Sequence, residues 1–338
     1  MKNKEKLIII CNEKTSREGA NFYCDNIDIK SIPEGLKNKF DILMIATETK
    51  VKRSYKINLE KILLSKNIFK YIYNVIKTFK NKNINYLIIS ITPYTFIAFI
   101  ILFIFKKKFY VYLRSSGHEE YKAILGFFGP LIYNIMYFFI NHKSNIISCQ
   151  KRLTSKKKYD LVFPSEIDQD WLNNTNKPSL SSPKLLYVGR IRIEKGFFSL
   201  LKIFNEIKND IELSVVGNSE DIKKKNYKIN FLGFKNNVKE LINIYDSHNM
   251  TILPSYTEAH PKVVDESLAR LRPVIIFEEI NYVIQKRHGV FVAKRNSQSL
   301  LKVISFIIDD YENIQNEIKK NDLPTKEKFI SDLTTILS

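Results

Sequence analysis

Short apolar runs rich in Ile, Val, Phe and Tyr recur along the first half of the chain, separated by longer stretches of helical period. The runs predict strands at residues 7–11, 42–46, 86–91, 109–113, 145–148 and 161–163. Strand and helix in alternation is the pattern of βαβ units and a parallel sheet. Residues 59–79 read as one long helix. In it Lys66, Lys70 and Lys77 line one face, with Leu63, Ile72, Ile76 and Phe79 on the other. That face is either a solvated lysine stripe over a core contact or a basic amphipathic helix lying on anionic lipid.

The second half repeats the grammar with clearer punctuation. Expected strands at 185–188, 213–216 and 230–232 end in Gly189, Gly217 and Gly233, and the strand 251–253 ends in Pro254. Gly196 opens a helix to residue 207, residues 238–245 form another, and Pro261 begins a third that runs through Arg270. A further strand follows at 274–277. Asn, Ser, Thr and Pro cluster around Trp171 between residues 165 and 183, which marks a boundary. The organisation read from this is a domain at 1–165, a second at 166–320, and a helix at 321–338 returning toward the first. Both are Rossmann-like α/β domains facing across a deep cleft, with ligands off the carboxyl ends of the strands.

Two apolar stretches are long enough to test as membrane spans. Residues 86–105 are broken by Ser90, Thr92, Pro93 and Thr95, so strand, proline-initiated helix and strand fits better. Residues 123–140 carry Gly126, Gly129, Pro130 and Asn134 and read as core helices or helices dipped into the interface. The apolar run at 7–11 is too short for a signal-peptide core and reads as the first strand.

Composition narrows the class. With 338 residues, 44% hydrophobic and 26% charged, the chain suits two globular domains and neither a disordered tail nor a collagenous repeat. Cys11, Cys24 and Cys149 are too few and scattered for a disulfide framework or a zinc site, which favours a reducing cytoplasm. The net charge of +19 is lopsided: 29 − 12 = +17 over residues 1–165, against 25 − 23 = +2 over 166–338. Compositional drift toward Lys, Asn and Ile would bias both halves. A one-sided excess instead predicts that the first half meets an anionic partner, membrane or nucleic acid.

The chemistry concentrates in two segments. In Leu253–Glu266 a strand leads through Pro254 and Ser255 to Glu258, then to a helix that carries Glu266. Free amides at a helix N-terminus attract a diphosphate. Glu266, one turn along, can reach a ribose diol, and Glu258, before the helix, sugar hydroxyls. In Gly189-Arg190…Glu194-Lys195-Gly196 two cations flank a strand-to-helix loop, where they can neutralise a departing pyrophosphate.

The order Tyr-Val-Gly189-Arg190…Glu194-Lys195-Gly196, Val-Val-Gly217, Phe-Leu-Gly233, Leu-Pro-Ser255…Glu258…Glu266 resembles the family 4 glycosyltransferases, which have the GT-B fold. The likeness covers roughly residues 160–310 well and the first half loosely. It implies a nucleoside-diphosphate-sugar donor as co-substrate, retention of anomeric configuration, and no metal or other cofactor. By it Arg190 and Lys195 hold the diphosphate, Glu258 the donor sugar and Glu266 the ribose. Gly189, Gly217, Gly233, Ser255, Ala259, His260, Pro261, Lys262 and Val263 complete the donor site. In the first half His118 sits where the family often has a cleft histidine, with Arg114, Ser115 and Glu119 beside it for the acceptor. Arg17 and Gly19 stand in the remnant of a glycine-rich acceptor loop at 15–20. The sequence departs from the family at Ala259-His260, where Gly-Phe is usual, and at Leu271, where glycine is common.

Other polar clusters read as structural: Asp168-Gln-Asp170 as part of the interdomain segment, 156–158 and 223–225 as solvated lysine runs, and His142, His248 and His288 as unrelated. The reading implied is a retaining glycosyltransferase at the inner face of a bacterial membrane, extending a glycan or lipid-linked glycan for lipopolysaccharide or capsule. Its alternatives are a nucleic-acid-binding protein, for which no reader module is present, and a GT-B protein that binds donor without turnover.

Overall fold

The computed structural model describes residues 4–80, 84–115, 117–118, 121–122, 126–207, 210–218 and 229–338. The expected run at 223–225 lies outside them, as does Glu119. The chain divides into two compact units, Met1–Pro164 with Glu327–Ser338, and Ser165–Lys326. Each is a Rossmann-like α/β layer structure built on parallel strands, with the short antiparallel strands Asn21–Cys24 and Tyr55–Ile57 added at the edge of the first.

In the first unit the strands are β1 (Glu5–Glu18), β2 (Asn21–Cys24), β3 (Phe40–Glu48), β4 (Tyr55–Ile57), β5 (Ile62–Ser65), β6 (Ile84–Ile89), β7 (Phe109–Leu113), β8 (Asn145–Ser148) and β9 (Asp160–Leu161). The parallel order is β5-β3-β1-β6-β7-β8-β9. Leu7 to Ile10 are fully buried, as an uninterrupted apolar run should be in a strand covered on both faces. Helices Ile68–Lys77, Pro93–Ile104 and Gly129–Lys143 form between the strands. The C-terminal residues add a further helix to this unit, where Phe329, Leu333 and Leu337 are buried and Asn85 Nδ2 donates to the Leu337 carbonyl at 2.7 Å.

Two expectations need correction here. The helix read over 59–79 is a strand and a shorter helix. Residues 62–65 pair in register with Met44 to Thr47, and Asn67 caps the helix that follows by accepting from the Lys70 amide at 2.9 Å. Lys66 therefore precedes the helix, and only Lys70 and Lys77 share it. The expected loop at 15–20 is instead a β-hairpin: β1 runs on to Glu18 and turns through Gly19 and Ala20 into antiparallel β2. Gly19 takes φ +59°, the left-handed conformation such a tight turn demands. Arg17 is exposed on that turn, its Nε donating to the Gly19 carbonyl at 2.9 Å.

The apolar stretch 86–105 divides where its polar residues fall. Ser90, at φ +66°, ends the strand, and Thr92 and Thr95 form a capping box around Pro93 in the first turn of the helix. Among the described residues no helix is long and apolar enough to cross a membrane.

The second unit holds β10 (Lys184–Val188), β11 (Glu212–Val216), β12 (Ile229–Gly233), β13 (Met250–Leu253), β14 (Val274–Phe277) and β15 (Val290–Ala293). All are parallel, in the order β12-β11-β10-β13-β14-β15. The chain builds outward from β10 to β12, then returns to lay β13 on the other side of β10. That reversal between β10 and β13 is the topological switch point, where open α/β sheets bind ligands off the strands' carboxyl ends.

Candidate active site in the second unit

The two segments singled out by their chemistry leave β10 and β13 side by side. Gly196 caps the helix Phe197–Glu206 in the left-handed region at φ +66°, and a Cβ there would lie 1.8 Å from the Pro254 carbonyl oxygen. Only glycine lets the two loops approach so closely. The approach brings Lys195 to Glu258, with Nζ 2.6 Å from Oε1. Ser255 Oγ donates to the same carboxylate oxygen at 2.7 Å. Tyr282 grips the backbone of Glu258 from both sides, its hydroxyl accepting from the amide at 2.9 Å and donating to the carbonyl at 2.8 Å. The Glu258 side chain is 10% exposed and that of Lys195 is 23%. This is a preorganised ion pair at the surface of the switch point, still open to a ligand.

Arg295 holds the outer wall. Its guanidinium donates to the Pro254 carbonyl at 2.9 Å, lies over the rings of Tyr256 and Phe277, and pairs with Glu279 at 2.6 Å. Tyr282 and Arg295 were not legible as site residues, because each arrives from a distant part of the chain and neither carries a local motif.

Glu266 projects from the helix Lys262–Ala269 and accepts from the Tyr245 hydroxyl at 3.0 Å. Burial outweighs that hydrogen bond and pushes its carboxyl up to about 7. The neighbouring Asp265 goes the other way. Burial alone would raise it, but the His260 hydrogen bond and the Arg287 charge hold it below the usual carboxylate range. His260 Nε2 lies 2.9 Å from Asp265 Oδ2, and Arg287 Nε is 2.7 Å from Oδ1. The His260 ring is only 1% exposed. The ring is turned into the protein against Asp265, so the part of His260 that faces outward is its backbone.

Other candidates fall at the same end of the sheet with different partners. The Gly189 amide donates to Val216, and the Gly217 amide to the Gly233 carbonyl at 3.1 Å, which ties the ends of β10, β11 and β12 together. Arg190 is exposed, and its carbonyl accepts from Tyr187. Pro261 is the N-cap of the helix, and Ala259 and Val263 are half-buried beside it. Lys262 is turned to Glu166 at 3.2 Å. Leu271 stands at φ +56°, just past the end of that helix. The position has the conformation that glycine favours after a helix, so this departure from the family costs about 1–2 kcal/mol of local backbone strain. Asp168 caps a short helix by accepting from the Asp170 amide at 3.1 Å, a structural use of the acidic pair.

In the first unit Arg114 follows β7 at its carboxyl end. It donates to Asn26 Oδ1 at 3.0 Å and pairs with Asp28 at 2.9 Å, a partner the sequence pattern did not reveal. Glu13 stands in the same neighbourhood, its carboxyl raised chiefly by burial. His118 packs edge-on against Tyr133, and Ser115 is exposed.

Residues 169–322 match the family described as glycosyl transferases group 1. The match falls within the second unit, Ser165–Lys326. A curated relative, an uncharacterized glycosyltransferase of Haemophilus influenzae, is 26% identical over 195 residues, which are 49% of this chain and 54% of the relative. The chain thus spans about half the length of the curated relative it matches. Among solved structures, a sucrose-phosphate synthase from Thermosynechococcus elongatus is similar at TM-score 0.71 and 14% identity, covering 98% of both chains. Anabaena HepE in complex with UDP and glucose is similar at TM-score 0.69 and 12% identity, over 98% of this chain and 99% of that one. The lipopolysaccharide outer core galactosyltransferase WaaB follows at 0.66 and 14%, over 98% of both. At such identities these likenesses establish the GT-B fold. The Lys195–Glu258 pair lies at the switch point between β10 and β13, within the residues that match the family.

Proposed function

We propose that the chain is a retaining, metal-independent glycosyltransferase that moves a sugar from a nucleoside-diphosphate-sugar donor to a glycan acceptor. The observation that carries this reading is the Lys195–Glu258–Ser255 cluster in the loop after β13, just ahead of the helix that carries Glu266. The diphosphate lies against Lys195, Arg190 and the amides that open the helix Lys262–Ala269. Glu258 takes the donor sugar's hydroxyls and Glu266 the ribose diol. As the bond from C1 to the phosphate oxygen breaks, charge grows on the diphosphate, and Lys195 and Arg190 stabilise it. The acceptor hydroxyl forms the new C1–O bond on the same face, and its proton goes to the departing phosphate oxygen. The acceptor is a lipid-linked glycan of the surface-polysaccharide kind, met by the basic first unit at the inner face of a membrane. The solved relatives that bind UDP or build lipopolysaccharide support the donor class and the setting.

The direct test incubates the chain with a panel of nucleoside-diphosphate sugars and reads nucleotide release and donor affinity. One donor is expected to bind and turn over well above the rest. If none binds, the site assignment fails. Binding without turnover across many acceptors favours a carrier over an enzyme, a reading motivated by Ala259 and His260 in place of Gly-Phe.

Glu266 adds a pH signature. With its carboxyl at about 7, the anion that accepts both diol hydrogen bonds is scarce at pH 6 and dominant at pH 8. Affinity for the free nucleoside diphosphate should therefore rise roughly tenfold over that range. Glu266→Gln should bind weakly with a nearly flat profile. Calorimetric titration across pH checks this, and a wild-type profile parallel to that of the variant excludes Glu266 from the ribose.

A further inference from the structure

At the amino ends of β7 and β8, away from every residue assigned above, the first unit has an open pocket of about 360 Å³. That is within the range of small-molecule sites, roughly 300–1,000 Å³. Lys106, Lys107, Lys108, Lys143, Lys156 and His142 line it, and no carboxylate does. Among the described residues none of these five lysines forms an ion pair, whereas Lys195, Lys235 and Lys262 each do. Lys156 Nζ donates to the Ser144 carbonyl, and Lys107 sits over the Phe79 ring at 4.8 Å. Helices Pro93–Ile104 and Gly129–Lys143 both end here. Their C-termini supply about half a negative charge each. About one negative charge against five positive leaves a strong surplus, which an anion would balance.

The pocket shares its edge with an aromatic band. Phe103, a wall residue, is 47% exposed, and Phe105, Phe138 and Phe139 are 55%, 56% and 48% exposed. Phe138 lies against His142 at 4.4 Å, Phe139 against Phe96 at 6.4 Å, and Phe99 against Phe103 at 6.0 Å. Bare aromatic rings beside an unpaired cation cluster match one kind of partner. A phospholipid presents a phosphate next to acyl chains that the rings can enter, whereas a duplex keeps its bases stacked on one another and a free phosphate offers the rings nothing.

We infer that this pocket seats the phosphate headgroup of an anionic phospholipid, with Phe103, Phe105, Phe138 and Phe139 entering the acyl boundary beside it. The site lies at the opposite ends of β7 and β8 from Arg114, about 16 Å away for a five-residue strand. Docking therefore leaves the carboxyl ends of the sheet free. The inference deepens the membrane clause of the proposed function and rests on that clause alone.

Flotation of the full chain with vesicles tests it without reading sugar transfer, so failure here leaves the transferase reading standing. The wild type is expected to float with phosphatidylglycerol-containing vesicles at moderate salt and not with pure phosphatidylcholine. At about fivefold per lysine, the triple variant Lys107→Gln, Lys108→Gln, Lys143→Gln should lose roughly 100-fold in affinity. A control of equal charge, Lys50→Gln, Lys52→Gln, Lys56→Gln, should lose less than about threefold. Phe138→Ser with Phe139→Ser should lose at least about tenfold with all lysines present. Inorganic phosphate alone should not release the vesicles. Equal losses in the two lysine triples, full binding by the phenylalanine pair, or release by phosphate or duplex RNA overturns the inference. Hydrogen exchange on the wild type gives a check independent of variant folding. Vesicles should protect residues 103–108 and 138–145, and unchanged exchange there overturns it too.

Discussion

Lys195→Ala is expected to cut sugar transfer by about 10²–10³-fold, mostly in kcat, with donor affinity weakened far less. The asymmetry follows from where the charge is needed. In the proposed reaction the ground-state diphosphate is met by helix amides as well as Arg190, whereas the charge that appears as C1 separates draws most on Lys195, the cation that Glu258 holds in place. Lys195 is not a free surface lysine, since Glu258 fixes it at 2.6 Å and Ser255 fixes the same carboxylate oxygen. Lysine and glutamate should thus act as one unit. The double variant Lys195→Ala, Glu258→Gln should be little worse than Lys195→Ala alone, where independent roles would multiply the losses. Lys195→Arg should recover only part, because a planar fork cannot occupy the place of an ammonium held by one oxygen. Steady-state rates with the best donor, beside melting temperatures, decide the matter. Losses that track stability, or that fall wholly in KM, would make Lys195 a structural cation.

What could be read in advance depended on whether the physics was local. The strands at 109–113 and 145–148 were legible because a buried parallel strand must be a short apolar run, the first bounded by Lys108 and Arg114 and the second set between Lys143 and Lys151. The helix read over 59–79 was not, because 62–65 is equally apolar in either period and its pairing with β3 is a non-local fact. The hairpin at Gly19 was hidden by family likeness, which predicts a loop where β1 in fact continues. At the candidate site the same division holds. Gly196, Glu258 and Glu266 announce themselves by position relative to a strand end and a helix start. Tyr282, Arg287 and Arg295 come from beyond β14, so only the fold brings them in. His260 marks the limit most clearly, because adjacency to Glu258 said nothing about which way the ring turns.

The largest stability effect is expected one turn past Glu266. Arg270 is buried, with a side chain 1% exposed, and every donor group on it has a partner. Nε and Nη2 grip Asp246 at 2.8 and 2.6 Å, and the remaining bonds go to the carbonyls of Trp171, Asn173 and Asn174. Those carbonyls belong to the polar segment that sequence marks as a boundary, so a buried cation does there what secondary structure does elsewhere. Arg270→Ala strands Asp246, 9% exposed, with only Arg272 at 3.9 Å, and leaves three carbonyls without their donor. Breaking a buried pair this way costs about 3–5 kcal/mol. For a unit of this size that lowers the melting midpoint by roughly 6–20 °C. Removing both charges should cost less than removing one, so Arg270→Met with Asp246→Leu should melt above Arg270→Ala. The segment Arg270 holds begins beside Glu166, which pairs with Lys262 in the first turn of the donor-side helix. Loosening it should therefore weaken donor binding before the unit unfolds, and a melt followed with and without nucleotide reads both. If Arg270→Ala melts within about 1 °C of the wild type, the buried cluster does not hold this boundary.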